Sequence, residues 1–176
     1  MRIVVSGEMG AGKSTAVRRA MAWAGWERPA GFFTHWDGAG RGGPALVLET
    51  WGGVRRTVAR RIGGAAVSGE LPYEVDAEAF GAGVEDAWRG AAPDAPVVID
   101  ELGLMEWTVP TVAEEIAKRL RGTGLALVVV QRRAMDRWLA AMGRERVDGV
   151  AEIDEAGRDE WPLRLTDWLG LNKKEK

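Results

Sequence analysis

The architecture this sequence predicts is an open, mostly parallel α/β sheet covered by helices on both faces and extended at one edge by an antiparallel hairpin. Three observations predict it. Short apolar runs alternate with helical stretches along most of the chain, the pattern of strands joined by crossover helices. The first apolar run passes through a glycine-rich loop into a helix. Two alternating runs flank Trp51-Gly52-Gly53, which reads as a hairpin with a three-residue loop.

The elements follow in order. A strand over 2–6, with Ile3-Val4-Val5 at its centre, leads through the loop to a helix over 14–25. A strand around Phe32-Phe33-Thr34 comes next, then a Gly-rich turn from Gly38 to Gly43. The hairpin pairs Ala45–Thr50 with Val54–Ala59. A loose segment from Ile62 to Pro72 precedes a helix from about Asp76 to Arg89, with Asp76 as its N-cap. Pro93 and Pro96 then bring in a buried-type strand, Val97-Val98-Ile99. A helix from about Pro110 to Arg121 has Thr111 and Glu114 spaced as a capping box. Leu125–Val130 is a fully apolar strand, Ala134–Met142 a helix, Val147–Ile153 a strand and Asp159–Leu169 a last helix. With no repeat or linker, residues 1–171 read as one domain and 172–176 as a charged, frayed tail.

Composition narrows the function classes. The chain has 176 residues, 46% hydrophobic and 28% charged, enough for a real core. A net charge of −2 gives no basic field for nucleic acid or acidic membranes. The absence of cysteine excludes disulfides and thiolate metal sites and suits a cytoplasmic protein. The opening apolar run is too short for a signal peptide, and Leu125–Val130 is too short to span a bilayer. Nine tryptophans share no spacing, so they read as packing groups rather than a base-stacking surface.

Function is written most densely in residues 7–14, Gly-Glu-Met-Gly-Ala-Gly-Lys-Ser. Gly7, four residues, then Gly12-Lys13-Ser14 is the spacing of a phosphate-cradling loop between a strand and a helix. Glycines at 7, 10 and 12 let the backbone aim its N–H groups at one point, and the helix N-terminus adds positive charge there. Only five lysines stand against 19 arginines, three of them in the last four residues, so Lys13 runs against the composition. Gly7, Glu8, Met9, Gly10, Ala11, Gly12, Lys13, Ser14 and Thr15 are therefore expected to hold a nucleoside triphosphate. Lys13 would reach its β- and γ-phosphates and Ser14 its Mg²⁺.

Such a loop needs a partner acid from the end of a neighbouring buried strand. Val97-Val98-Ile99-Asp100-Glu101 fits: Asp100 would serve the Mg²⁺ through a held water, and Glu101 would take a proton from the attacking water. Both are expected among the nucleotide-binding residues. Gln131 and Arg132 follow the apolar strand 125–130, and Gln131 would lie near the γ-phosphate if that strand neighbours the loop strand. Arg41, in the Gly-rich turn, is a further candidate for the phosphates. His35, the single histidine, has no second histidine or cysteine for a zinc site. Asp100-Glu101-Leu102-Gly103 also fits a GTPase D-x-x-G pattern, but Asn172-Lys173-Lys174-Glu175 misses N-K-x-D in its acid and its place.

With these pieces placed, the chain resembles the THEP-type, or cancer-related, nucleoside-triphosphatase family over nearly its whole length. The resemblance rests on Gly7 to Thr15, on Gly31-Phe32-Phe33-Thr34, and above all on Asp100-Glu101-Leu102-Gly103-Leu104-Met105-Glu106. Tyr73-Glu74-Val75-Asp76 and Glu152-Ile153 through Gly157-Arg158-Asp159 are similar to two further family segments. The resemblance implies the P-loop NTPase fold and Mg²⁺-dependent hydrolysis of several nucleoside triphosphates, ATP and GTP included, to diphosphate and phosphate. It places Glu106 close to the acid pair, either catalytic or structural, and Arg158 at the nucleotide. Departures from the pattern are His35-Trp36-Asp37 in place of a segment that carries an arginine, and Gly157 in place of an asparagine.

Two other functions fit the same loop. A small nucleotide or metabolite kinase would use an arginine-rich lid, and residues 52–72 offer Arg55, Arg56, Arg60 and Arg61. A nucleotide-switched binding module would leave the acid pair idle.

Overall fold

A computed structural model describes residues 1–38, 43–62, 73–157 and 159–170. Among them one sheet is formed by β1 (Arg2–Gly7), β2 (Ala30–Trp36), β3 (Ala45–Thr50), β4 (Arg55–Arg61), β5 (Tyr73–Val75), β6 (Val97–Leu102), β7 (Ala126–Val130) and β8 (Gly149–Ile153). Their order is β5-β4-β3-β2-β6-β7-β1-β8. Every pairing from β2 to β8 is parallel. Beyond β2, strands β3, β4 and β5 are added antiparallel. The sheet is thus mostly parallel with an antiparallel edge, as expected, and β5 widens that edge. At three residues β5 is too short to show an alternation in the sequence.

Helices α1 (Lys13–Trp23), α2 (Ala77–Trp88), α3 (Pro110–Gly122), α4 (Met135–Met142) and α5 (Trp161–Trp168) cover both faces. On one, Ile3, Val5, Val98, Leu127, Val129 and Ile153 pack with Val17 and Ala20 of α1 and Leu165 of α5. On the other, Val4, Phe32, Ile99 and Val128 pack with Phe80 of α2, Ile116 of α3 and Trp138 of α4. Neighbours such as Val4 and Val5 go to opposite faces because a strand alternates its side chains. Burial on both faces explains why β6 and β7 read as unbroken apolar runs. Several tryptophans pack against other rings: Trp107 lies 4.8 Å from Trp138, and Trp36 lies 4.6 Å from Tyr73, while Trp23 and Trp168 are exposed.

Helix ends show where local signals decide. Asp76 caps α2, accepting the Ala79 N–H at 2.9 Å. The expected capping box of Thr111 and Glu114 does not form. Pro110 takes the first helical position, where its fixed φ and missing N–H fit best. Val109 is therefore the N-cap of α3, without a side-chain cap, and Thr111 lies inside the first turn. Before α4, residues Arg132–Ala134 form a 3₁₀ turn, so the helix starts at Met135.

A second correction concerns the strand that carries Asp100. It is not β1's neighbour, because β7 lies between them. The chain leaves β1 through α1 for a strand three places away, and β6 and β7 later fill the gap. Residues 39–42, 63–72 and the expected tail 172–176 lie outside the described residues. Among the described residues no helix is long and apolar enough to cross a membrane.

Candidate active site

The glycine-rich loop joins β1 to α1. Gly7, the last residue of β1, has φ 139°, and a Cβ there would sit 2.0 Å from the Ile153 carbonyl oxygen of β8. No side chain fits where two backbones approach so closely. Gly12, at φ 96°, is the N-cap of α1; the helix has no side-chain cap and no acid in its first turn. Its leading N–H groups therefore lack both intrahelical and capping partners, and the positive end of the helix dipole faces the loop. That combination binds anions. Glu8, Met9 and Gly10 form the exposed rim, Ala11 is buried beneath them, and Thr15 lies exposed in the first turn. The Lys13 ammonium lies along the loop, donating to the carbonyls of Gly7 at 3.0 Å and Glu8 at 2.9 Å.

The acid pair meets this loop across β7. Ser14 donates its hydroxyl to Asp100 Oδ1 at 3.1 Å. Asp100 is buried, and burial pushes its carboxyl above the usual range; the Ser14 hydrogen bond opposes the shift, Glu101 adds to it, and Arg18 and Lys13 oppose it. Glu101 is more open, with its Oε1 3.9 Å from Lys13 Nζ. Gln131 at the end of β7 donates through Nε2 to Glu101 Oε2 at 3.5 Å. β7 is β1's neighbour, the condition that brings Gln131 to the loop. The Gln131 N–H donates to the Leu102 carbonyl at 2.8 Å, which ties that strand end to β6. Gly103 leaves room for this amide, since a Cβ there would lie 2.7 Å from it.

Glu106 sits one layer deeper. Its Oε2 accepts the Gly103 N–H at 2.9 Å, while the Trp138 indole donates to the Gly103 carbonyl at 2.8 Å. Burial pushes the Glu106 carboxyl up to about 7, against the pull of its backbone hydrogen bonds. Its geometry is that of a fastener for the loop after β6, beneath Glu101 and Gln131.

Two arginines join the site: Arg18, which the sequence did not single out, and Arg132, which it named only beside Gln131 and without a role. Arg18 lies one turn beyond Ser14, so the two share a helix face. Its guanidinium carbon stands 4.7 Å from the centre of the Phe33 ring, beside Asp100's strand partner. Arg132, one residue past Gln131, bridges Glu8 of the loop and Glu152 of β8. Helical spacing from Ser14 could have flagged Arg18; the place of Arg132 at a strand end was legible, but its pairing with Glu8 and Glu152 was not. Arg41 and Arg158 lie outside the described residues. His35 pairs with Glu49 at 3.1 Å. The arginines of the supposed lid belong to strand β4, where Arg56 reaches the buried Asp86 at 2.6 Å and Arg55 reaches Glu49 at 3.2 Å.

An anion-binding loop between strand and helix, facing an acid pair at the end of a parallel strand, defines a P-loop nucleotide-binding protein. The chain belongs to the NTPase family, whose model matches residues 2–166. Among solved structures it is similar to a human cancer-related nucleoside triphosphatase, with 20% identity, a TM-score of 0.71 and 99% of each chain covered. It is also similar to THEP1 from the hyperthermophile Aquifex aeolicus, with 21% identity and a TM-score of 0.70 over 96% of this chain and 99% of that one. At these identities the likeness is one of fold. No curated protein sequence matches significantly.

Proposed function

We propose that the protein hydrolyses nucleoside triphosphates, ATP and GTP among them, to diphosphate and phosphate with Mg²⁺. The observation that carries this reading is the acid pair standing against the loop, with Ser14 on Asp100 at 3.1 Å and Lys13 3.9 Å from Glu101.

The residues fit a magnesium ion. Asp100 and Ser14 present a buried carboxylate and a hydroxyl side by side, and Mg²⁺ is usually held by one or two carboxylates together with substrate phosphates and water. When bound, the ion neutralises charge on the β- and γ-phosphates. The chain's own groups do the rest. The bare N-terminus of α1 and the loop N–H groups bind the phosphates. Lys13, now resting on two carbonyls, turns to the β- and γ-phosphates. Glu101 accepts a proton as water attacks the γ-phosphorus, and the bond to the bridging oxygen breaks with its electrons leaving on the diphosphate. Gln131 steadies Glu101, and Glu106 holds the backbone beneath both.

Water as the acceptor is supported by Glu101, which is open, unlike Asp100, and by the place of Arg55 to Arg61 in a paired strand. The test is phosphate release from a panel of Mg²⁺–NTPs, with and without nucleoside monophosphates. Release without any acceptor is expected. Phosphate that appears only as a transferred group on an added monophosphate would make the protein a kinase.

A further inference from the structure

The end of β7 is fastened on both sides. Ser6 of β1 donates its hydroxyl to the Val130 carbonyl at 3.0 Å, and the Gln131 N–H is held by Leu102 of β6. Arg132 follows at once, so its backbone is anchored beside the phosphate loop. Its guanidinium is divided between two acids. Nε donates to Glu152 Oε1 at 2.6 Å, and a terminal nitrogen contacts the same carboxylate. The other terminal nitrogen is on Glu8 Oε1. Glu152 is fixed on β8 opposite Ser6. Glu8 is the loop's own second residue, and its side chain is 74% exposed.

Glu8 is therefore where two cations converge. Lys13 rests on its carbonyl and Arg132 on its carboxylate. Each holds an oxygen of the loop at the position a triphosphate would approach. An exposed ion pair of this kind adds little to stability, so holding β8 to the loop is a poor account of the arrangement. A phosphate carries more charge than a carboxylate and matches the planar guanidinium in a bidentate fork. Triphosphate in the loop would also repel the Glu8 carboxylate. Arg132 then exchanges Glu8 for the γ-phosphate while Glu152 keeps hold of its Nε side.

We propose that Arg132 is a catalytic residue of the hydrolysis, stabilising charge on the transferred phosphoryl group and parked on Glu8 until the triphosphate arrives. The assignment rests on the reading of the site as a hydrolase. It supplies the arginine from the residue pair that follows β7.

Arg132→Ala and Arg132→Lys test it against wild type, with Mg²⁺–ATP binding and phosphate release measured separately. Arg132→Ala is expected to bind Mg²⁺–ATP within a few-fold of wild type and to release phosphate at least about 100-fold more slowly, at or below the lower end for a catalytic arginine. Guanidinium ion at a sub-denaturing concentration should restore part of the lost rate in Arg132→Ala. Arg132→Lys, which keeps the charge without the fork, should remain slow while melting at the wild-type temperature. Wild-type turnover in either variant overturns the assignment, as does a loss confined to affinity or one that guanidinium leaves unrestored. A wild-type protein that releases no phosphate overturns the hydrolase reading itself, and this assignment with it.

Discussion

Glu106 is an ionisable carboxyl sealed beneath the site, and its titration belongs to the fold as much as to the chemistry. In the unfolded chain it titrates near the ordinary value of 4.5, and in the fold near 7, because burial disfavours its charge. Between those values the folded state keeps a proton that the unfolded state releases. Stability is therefore greatest below the unfolded value and falls as pH rises to the folded one, by at most about 3 kcal/mol. Denaturant titrations from about pH 5 to about pH 8 should show this fall. Glu106→Gln should flatten the slope. An unchanged slope in that variant would mean that Glu106 does not titrate in this range. At this scale the sequence was legible where chemistry is set by spacing along the chain. Lys13 and Ser14 follow from the loop pattern, and Asp100 and Glu101 from an apolar run ending in two acids. The contact of Arg132 with Glu8 joins elements far apart in sequence, and no local pattern encodes it. Glu106 and Gly103 lie only three residues apart, but which backbone group the buried carboxylate takes is set by the packing around them.

Among the elements, helix termini separate signals that act alone from signals that compete. Asp76 has no rival for the N-cap of α2 and takes it. Thr111 stands directly after Pro110, and the proline decides where α3 begins. Asp76→Ala should cost about 1 kcal/mol in equilibrium unfolding. Thr111→Ala should stay within about 0.5 kcal/mol, as for a residue outside any cap. Equal losses from the two would mean that Thr111 caps α3 after all. The same contrast explains which strands could be read. β6 and β7 are buried on both faces and announce themselves as apolar runs. β5 is an edge strand of three residues whose existence depends on β4 beside it.

For the whole molecule, the strand order decides what the loop can do. The alternation of strands and helices predicts a parallel sheet but leaves the order of its strands open, because apolar patterning records burial and not partners. By inserting β7 between β1 and β6, the fold brings three strand ends to one place. The loop comes from β1, the acid pair from β6, and Gln131 with Arg132 from β7. In the proposed function the loop alone would hold a triphosphate, and the three ends together would hydrolyse it. Glu101→Gln tests that claim most directly, with nucleotide affinity and phosphate release measured on the same preparation. The account predicts Mg²⁺–NTP binding within a few-fold of wild type and phosphate release slower by about 100-fold or more, as for loss of a general base. Phosphate release at the wild-type rate in that variant would contradict it.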